Sequence, residues 1–274
     1  MDQLIIDQET CTRDGLCAAV CPARIIELNQ DHGFPQPRPE FEQLCIHCGH
    51  CVAICPKGAL SIGSMNPGEF PLVSLQFKPS PEQAEQFMRA RRSIRTYRDQ
   101  AVEPEKLIRL IKIADYAPSA SNMRPVKWLI IKDTTEVRRL SGLVVDWMLN
   151  MTQIQPEMAA MRRFDRIIDA WEKGEDRICR GAPHVIVAYA SNEFVMAPID
   201  AATALAYLEL AATTLGLGTC WAGYFNTAAN FFPPMTEALN LPQNHRSLGA
   251  VMVGYPQFKY QRMPVRPDPP ITWR

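Results

Sequence analysis

Seven of the chain's nine cysteines lie between positions 11 and 55, and Cys45, Cys48, Cys51 and Cys55 are spaced C-x2-C-x2-C-x3-C with Pro56 directly after. Four thiolates at this spacing suit a cubane iron–sulfur cluster, because a tight loop lets the first three reach one cluster while the fourth is directed to another. The pattern is duplicated. Cys11, Cys17, Cys21 and Pro22 recur, shifted by 34 positions, as Cys45, Cys51, Cys55 and Pro56. A zinc site is the alternative for the second copy, and the duplication with its trailing Cys-Pro weighs against it. In the first copy Asp14 stands where the second cysteine belongs, and a carboxylate is a harder, weaker ligand for iron than a thiolate. Three arrangements stay open there: Asp14 ligates a labile fourth iron, the site holds a three-iron cluster, or the cluster is lost and the remaining cysteines are structural. His47 and His50 fill spacer positions and read as solvent-facing.

A second chemistry is carried by arginine. RRSIRTY at 91–97 places Arg91, Arg92 and Arg95 within five residues, and three guanidiniums so close repel one another unless an anion lies among them. Arg offers forked donors suited to phosphate, although a bare charge cluster is also what a solvated face looks like. APSASNMRPVKW at 117–128 packs small hydroxyl and amide residues into a turn that leads into a strand, so its donors can approach a flat polar ligand. GLGTCWAG at 216–223 is a Gly-punctuated turn, and GYPQFKYQRMP at 254–264 brings Arg262 back towards the core.

These groups need elements to position them. The 274 residues correspond to one large domain or two modest ones at about 150 residues each. Pro and Gly recur through SMNPGEFPLVSLQFKPS, so 64–80 reads as a linker between a domain at 1–63 and another at 81–274. RIIEL (24–28) and ALSIG (59–63) are strand candidates in the first. In the second, 104–117 patterns as an amphipathic helix with Leu107, Ile108, Ile111 and Ala114 on one face, and 126–133, 184–191 and 248–255 read as buried strands. The segment 202–216 is apolar almost all round, which suits a central helix or a dimer interface. The Met- and Trp-containing stretch 143–180 fits either helices that roof a pocket or an amphipathic face packed on the core. The tail from 256 has too much Pro for helix.

The first 63 residues resemble the bacterial two-cluster ferredoxins. Crossed ligation in that family implies that Cys45, Cys48 and Cys51 share a cluster with Cys21, while Cys11 and Cys17, with Asp14 at the irregular position, share the other with Cys55. Residues 85–266, with four motifs in register, resemble the FMN-dependent nitroreductases. This implies an α+β fold, an α/β/α layer with a central mixed sheet, built as an intertwined homodimer with FMN at each interface and the C-terminal segment passed to the partner. It also implies that Arg91, Arg92, Ser93 and Arg95 contact FMN, that Pro118, Ser119, Ser121 and Asn122 line it from the other subunit, that the backbone at Ala222 and Gly223 lies against the ring, and that Arg262 is a second phosphate contact. Two departures stand out: Tyr260 replaces a basic residue found in many relatives, and Ala222 an acidic one found in some. Cys220 reads as a buried inert thiol, Cys179 has no evident role, and His184 reads as a satisfied core residue.

Charge and composition exclude other classes. Lys+Arg and Asp+Glu are equal at 29 each, which argues against a nucleic-acid partner or a polybasic membrane anchor. The balance hides two halves: 5 Lys+Arg against 9 Asp+Glu up to residue 80, and 24 against 20 beyond it. No apolar run reaches the roughly 18 residues of a membrane span, and MDQLIIDQETC lacks the build of a signal peptide, so a cytoplasmic protein is expected. The leading expectation is an oxidoreductase in which electrons pass from the clusters to FMN and then to a small conjugated acceptor: a nitroaromatic, a quinone or an activated alkene. NAD(P)H stays open as donor, although no Gly-rich dinucleotide fingerprint is present. The alternatives are an electron-transfer protein serving a redox partner protein, and an iron–sulfur redox sensor. No Ser-His-Asp or paired-carboxylate arrangement stands out, and flavin chemistry needs none.

Overall fold

Cys17 and Cys51 are each the second residue of a short helix that a left-handed glycine introduces, Gly15 at φ 73° and Gly49 at φ 71°. An L side chain is disfavoured at both points. At Gly49 a Cβ would also press on the Phe70 ring at 3.3 Å. The sequence repeat is therefore a repeat of backbone turns as well as of thiols. A computed structural model describes residues 3–274 and divides them into two compact units: the chain up to Lys78 together with Ser121–Met123, and Pro79–Ala120 together with Arg124–Arg274.

The first unit contains β1 (Leu4–Ile6), α1 (Leu16–Ala19), β2 (Ile26–Leu28), β3 (Pro35–Pro37), α2 (Phe41–Leu44), α3 (His50–Ile54) and β4 (Leu60–Ile62). Strands β1 and β4 pair antiparallel with Leu4 opposite Ile62, and β2 pairs with β3 through Ile26 and Pro37. Ile25, Ile26, Phe41, Val52, Leu60 and Ile62 form its core together with Cys17 and Cys51. Residues 64–78 fall within this unit. They hold two 3-10 turns, Pro67–Glu69 and Leu75–Phe77, and leave Leu72, Val73, Leu75 and Phe77 exposed.

The second unit runs α4 (Pro81–Ala90), α5 (Pro104–Ala114), β5 (Lys127–Ile131), α6 (Thr134–Ile154), α7 (Pro156–Met161), α8 (Phe164–Glu172), β6 (His184–Ser191), α9 (Ala197–Thr214), β7 (Gly218–Trp221), α10 (Gly223–Phe231), α11 (Pro233–Leu239) and β8 (His245–Gly254). Its sheet has the order β5-β6-β8-β7 with antiparallel ladders, and a parallel bridge between Ser93 and Thr219 at the β7 edge makes the pairing mixed. Alternation along β6 feeds two cores. Ile186 and Ala188 pack with Leu107 and Leu110 of α5 and Leu205 and Leu208 of α9, whereas Val185 and Val187 pack with Val144 and Met148 of α6, Phe225 of α10 and Met235 of α11. This is the α/β/α layering expected.

Several details differ from the sequence expectation. On α5 the buried face is Leu107, Leu110 and Ala114, and Ile108 is 48% exposed, because a 3.6-residue period started at 107 passes through 110 and 114. GLGTCWAG is mostly the strand β7, with the turn confined to the residues around Gly216. Between the two readings of 143–180, core packing describes most of the structure: Trp147, Met148 and Phe164 are buried, while Leu149, Ile154 and Met161 project. Helix α9 leaves Ile199 and Tyr207 exposed along one side. Beyond the Tyr97–Pro256 bridge the tail is exposed and irregular. No helix of the described residues is long and apolar enough to cross a membrane.

His184 is a satisfied core residue. Its Nε2 accepts from Val102 N at 2.8 Å and its Nδ1 donates to Lys132 O at 2.8 Å, which fixes the neutral ring. Burial lowers its pKa below the ordinary 6.5, and the Lys132 contact opposes this. The unfolded chain therefore takes up this proton first, so the stability is present above about pH 6.5 and is lost as the pH falls towards the lowered folded value. The urea midpoint should drop between pH 7.5 and 5.5 by more in the native chain than in His184→Gln; equal drops would remove His184 from this account.

Candidate functional sites

In the first unit the expected ligands sort into two cavities. Cys21, Cys45, Cys48 and Cys51 line one, walled by Ile25, Ile26, Phe41 and Ile62. Cys11, Asp14, Cys17 and Cys55 line the other, walled by Ile6, Pro35, Ala59 and Leu60. None of the seven cysteines is paired in a disulfide. Burial pushes the Cys51 thiol up to about 11 and raises Cys17 as well, so these apolar cages resist bare thiolates and suit a cationic guest that compensates them. Among the described residues no three Cys, His, Asp or Glu side chains converge on a single-ion position. A zinc ion needs its sulfurs at about 2.3 Å from one point, whereas these surround a space. Ala59 N donates to Cys55 Sγ at 3.3 Å, the kind of N–H···S contact that tunes a cluster. Asp14 is exposed: its Oδ1 accepts from Leu16 N at 3.0 Å and its Oδ2 from the Thr12 hydroxyl at 2.9 Å. His47 and His50 are exposed.

In the second unit the arginine segment is laid along the sheet edge. Ile94 N donates to Thr219 O at 2.9 Å, and the Tyr97 hydroxyl donates to Ile94 O at 2.7 Å. Gly218 permits the approach, since a Cβ there would lie 2.4 Å from the Ile94 side chain. The anchor is Glu209 on α9, which is 7% exposed. Its Oε1 receives Arg91 Nη1 at 3.3 Å and the Thr219 hydroxyl at 3.1 Å, and its Oε2 receives the Trp221 indole N–H at 3.1 Å. Arg92 turns back on the carbonyls of Arg89 and Ala90, and Arg95 is exposed. A cavity of 870 Å³ opens beside them; its wall is largely apolar, and among its charged residues Arg91, Arg92, Arg98 and Lys259 outnumber Glu82.

The start of α10 completes this edge. Ala222 N is committed to Ala250 O at 2.8 Å, so the backbone donors at this turn are those of Gly223, Tyr224 and Phe225, the first three helical residues, which have no carbonyl four positions back within the helix. The 117–122 turn divides. Pro118 and Ser119 stay with the second unit, where Ser119 Oγ accepts from Arg124 N at 3.0 Å and Asp200 Oδ1 takes Ala120 N at 3.1 Å. Ser121 and Asn122 group with the first unit, where Asn122 Nδ2 donates to Ile46 O and His47 O. Arg262 is exposed in the tail. Cys220 and Cys179 are buried; burial raises Cys220, with Arg95 and Arg180 pulling the other way, and pushes Cys179 up to about 12, which fits inert thiols. The sequence reading missed Glu209, Asp200 and Thr219. For Glu209 a signal existed: it is an acid set between Leu208 and Leu210 in the otherwise apolar run 202–216.

With this geometry in view, comparison with known proteins is decisive. Residues 88–255 match the nitroreductase family, and residues 3–56 match the 4Fe-4S dicluster domain. The chain belongs to the nitroreductase family. It is an oxidoreductase of that family with a ferredoxin-like domain at its N-terminal side. An "FMN reductase (NADPH)" of Bacillus subtilis is 28% identical over 172 residues, 60% of this chain and 62% of that protein, so the chain spans less than two thirds of that relative's length. An "FMN reductase [NAD(P)H]" of the same organism is 28% identical over 187 residues, 66% of this chain and 69% of that protein. The crystal structure of a nitroreductase with bound FMN from Bacteroides fragilis aligns with a TM-score of 0.57 at 20% identity, covering 70% of this chain and 99% of that one, which shows the shared fold.

Removing Glu209 leaves the Arg91 cation and two donors without their acceptor. Breaking a fully buried pair costs 3–5 kcal/mol, and with the Arg91 side chain 28% exposed the expected loss is about 2 kcal/mol. For a nitroreductase domain of this size that is a fall in Tm of roughly 5 °C in Glu209→Ala. An unchanged melting curve would show that the network carries no stability.

Proposed function

We propose that this chain is a flavin oxidoreductase that takes electrons at N-terminal iron–sulfur clusters, passes them to FMN, and reduces a small conjugated acceptor such as a nitroaromatic, a quinone or an activated alkene. The observation that carries the reading is the sorting of the eight ligand positions into two apolar, cysteine-lined cavities, within a chain whose other unit has the nitroreductase fold. The cavity with Cys21, Cys45, Cys48 and Cys51 suits a four-iron cluster. The one with Cys11, Asp14, Cys17 and Cys55 suits either a four-iron cluster that Asp14 completes or a three-iron cluster.

FMN, when bound, supplies the hydride or electron chemistry itself, and the protein supplies orientation and charge. The names of the FMN-binding relatives support FMN here. Arg91, Arg92, Ser93, Arg95 and Arg262 hold its phosphate and ribityl chain; Glu209 keeps the Arg91 end of this segment in place against β7. The turn at Ala222 and Gly223 faces the ring, where the free N–H groups at the head of α10 and the positive end of its dipole favour the negative charge of a reduced flavin. Pro118, Ser119 and Ser121 line the ring from a second copy of the chain. The exposed side of α9, with Ile199 and Tyr207, suits the homodimer this requires. NAD(P)H is the alternative donor, supported by the names of the Bacillus relatives.

Anaerobic stopped-flow on the reconstituted protein tests the reading. Reduced viologen should bleach the cluster and flavin absorbance together, and a nitroaromatic, quinone or enone should restore both with repeated turnover. If none of the three acceptor classes reoxidises the protein, the enzyme reading falls and delivery to a redox partner protein takes its place.

A further inference from the structure

Asn122 spends its side chain on the loop between two cysteines. Its Nδ2 donates to Ile46 O at 3.1 Å and to His47 O at 3.0 Å, and these are the only two residues between Cys45 and Cys48. An amide nitrogen carries two N–H donors, so one Asn can hold two successive carbonyls. The segment 121–123 groups with the iron–sulfur unit.

Backbone geometry at both ends of this contact is special. His47 lies at φ 50°, and Gly49, two positions on, at 71°. Ser121 and Asn122 lie at φ 49° and 56°. Left-handed conformations at non-glycine residues persist only where surrounding contacts hold them. The paired amide–carbonyl bonds are such a contact, and they fix the turn on which the directions of the Cys45 and Cys48 thiols depend.

We propose that Asn122 is a positioning residue for the cluster bound by Cys21, Cys45, Cys48 and Cys51, its amide nitrogen spent on the loop that carries two of those thiols. This rests on the reading that this cavity holds a cluster. Without the two donors the Ile46 and His47 carbonyls lose these bonds, and the Cys45–Cys48 loop gains freedom. The outer contacts of a metal site set ligand direction, and their loss typically lowers metal affinity 10–100-fold. The cluster at Cys11, Cys17 and Cys55 has no bond to Asn122 and serves as the internal control.

The test uses the reconstituted full chain with Asn122→Asp, which keeps the shape and removes both donors, and Asn122→Ala. Iron release to a chelator and the electron paramagnetic resonance spectrum of the reduced protein are followed for both clusters. The expected result is release at least several-fold faster from one cluster, with an altered spectrum for that cluster and the native rate and spectrum for the other. Should Asn122→Ala fail to fold, Asn122→Asp alone decides. Native release rates and spectra for both clusters, with a weakened affinity for FMN, would overturn the proposal and return Asn122 to the flavin. If the unsubstituted chain takes up no cluster at all, it is the reading of the first unit that fails.

Discussion

A carboxylate buried in an apolar helix must find donors, and Glu209 is where the second unit meets that constraint. A buried charge without partners costs several kcal/mol, so the elements around α9 are arranged to supply three. Arg91 comes from the segment after α4, and Thr219 and Trp221 come from β7. The same contact orders the arginine segment along the sheet edge and aligns the strand that runs into the head of α10. Cationic side chains and free backbone N–H groups are thereby collected in one neighbourhood. The charge at Glu209 organises a site whose own chemistry is the opposite charge.

The two units solve opposite electrostatic problems. In the first, burial in apolar cages raises the pKa of the Cys17 and Cys51 thiols, and a cationic guest relieves the cost. In the second, several guanidiniums lie close together at a partly solvated surface, and an anionic guest relieves their repulsion. The neutral total of 29 against 29 is the sum of these two designs. On the proposed electron route covalent linkage adds a third element, because a tethered donor would meet its flavin at an effective concentration that a diffusing one does not reach.

Much of this was legible in the sequence, for reasons specific to the residues. Cysteine spacing marked the duplicated cluster motif, and its resemblance to the two-cluster ferredoxins implied the two ligand sets that the cavities then separated. Long apolar runs such as 184–191 and 248–255 declared themselves as buried strands. What was hidden depends on long-range contact. The strand at Gly218–Trp221 has turn-like composition and exists because Thr219 to Trp221 pair with β8. Glu209 drew no notice within an apolar helix, and its role depends on Arg91, which the fold brings to it from 118 positions away. Asn122 belonged by motif to the flavin, and its partners at Ile46 and His47 lie 76 and 75 positions earlier.

The central claim is that one chain carries both ends of an electron route. The direct measurement is the rate of flavin reduction after rapid photoreduction of the clusters, taken anaerobically over a tenfold range of protein concentration. The account predicts a first-order bleach of the flavin whose rate constant does not change with concentration. A rate that rises in proportion to concentration, or a flavin that stays oxidised while the clusters remain reduced, would contradict it.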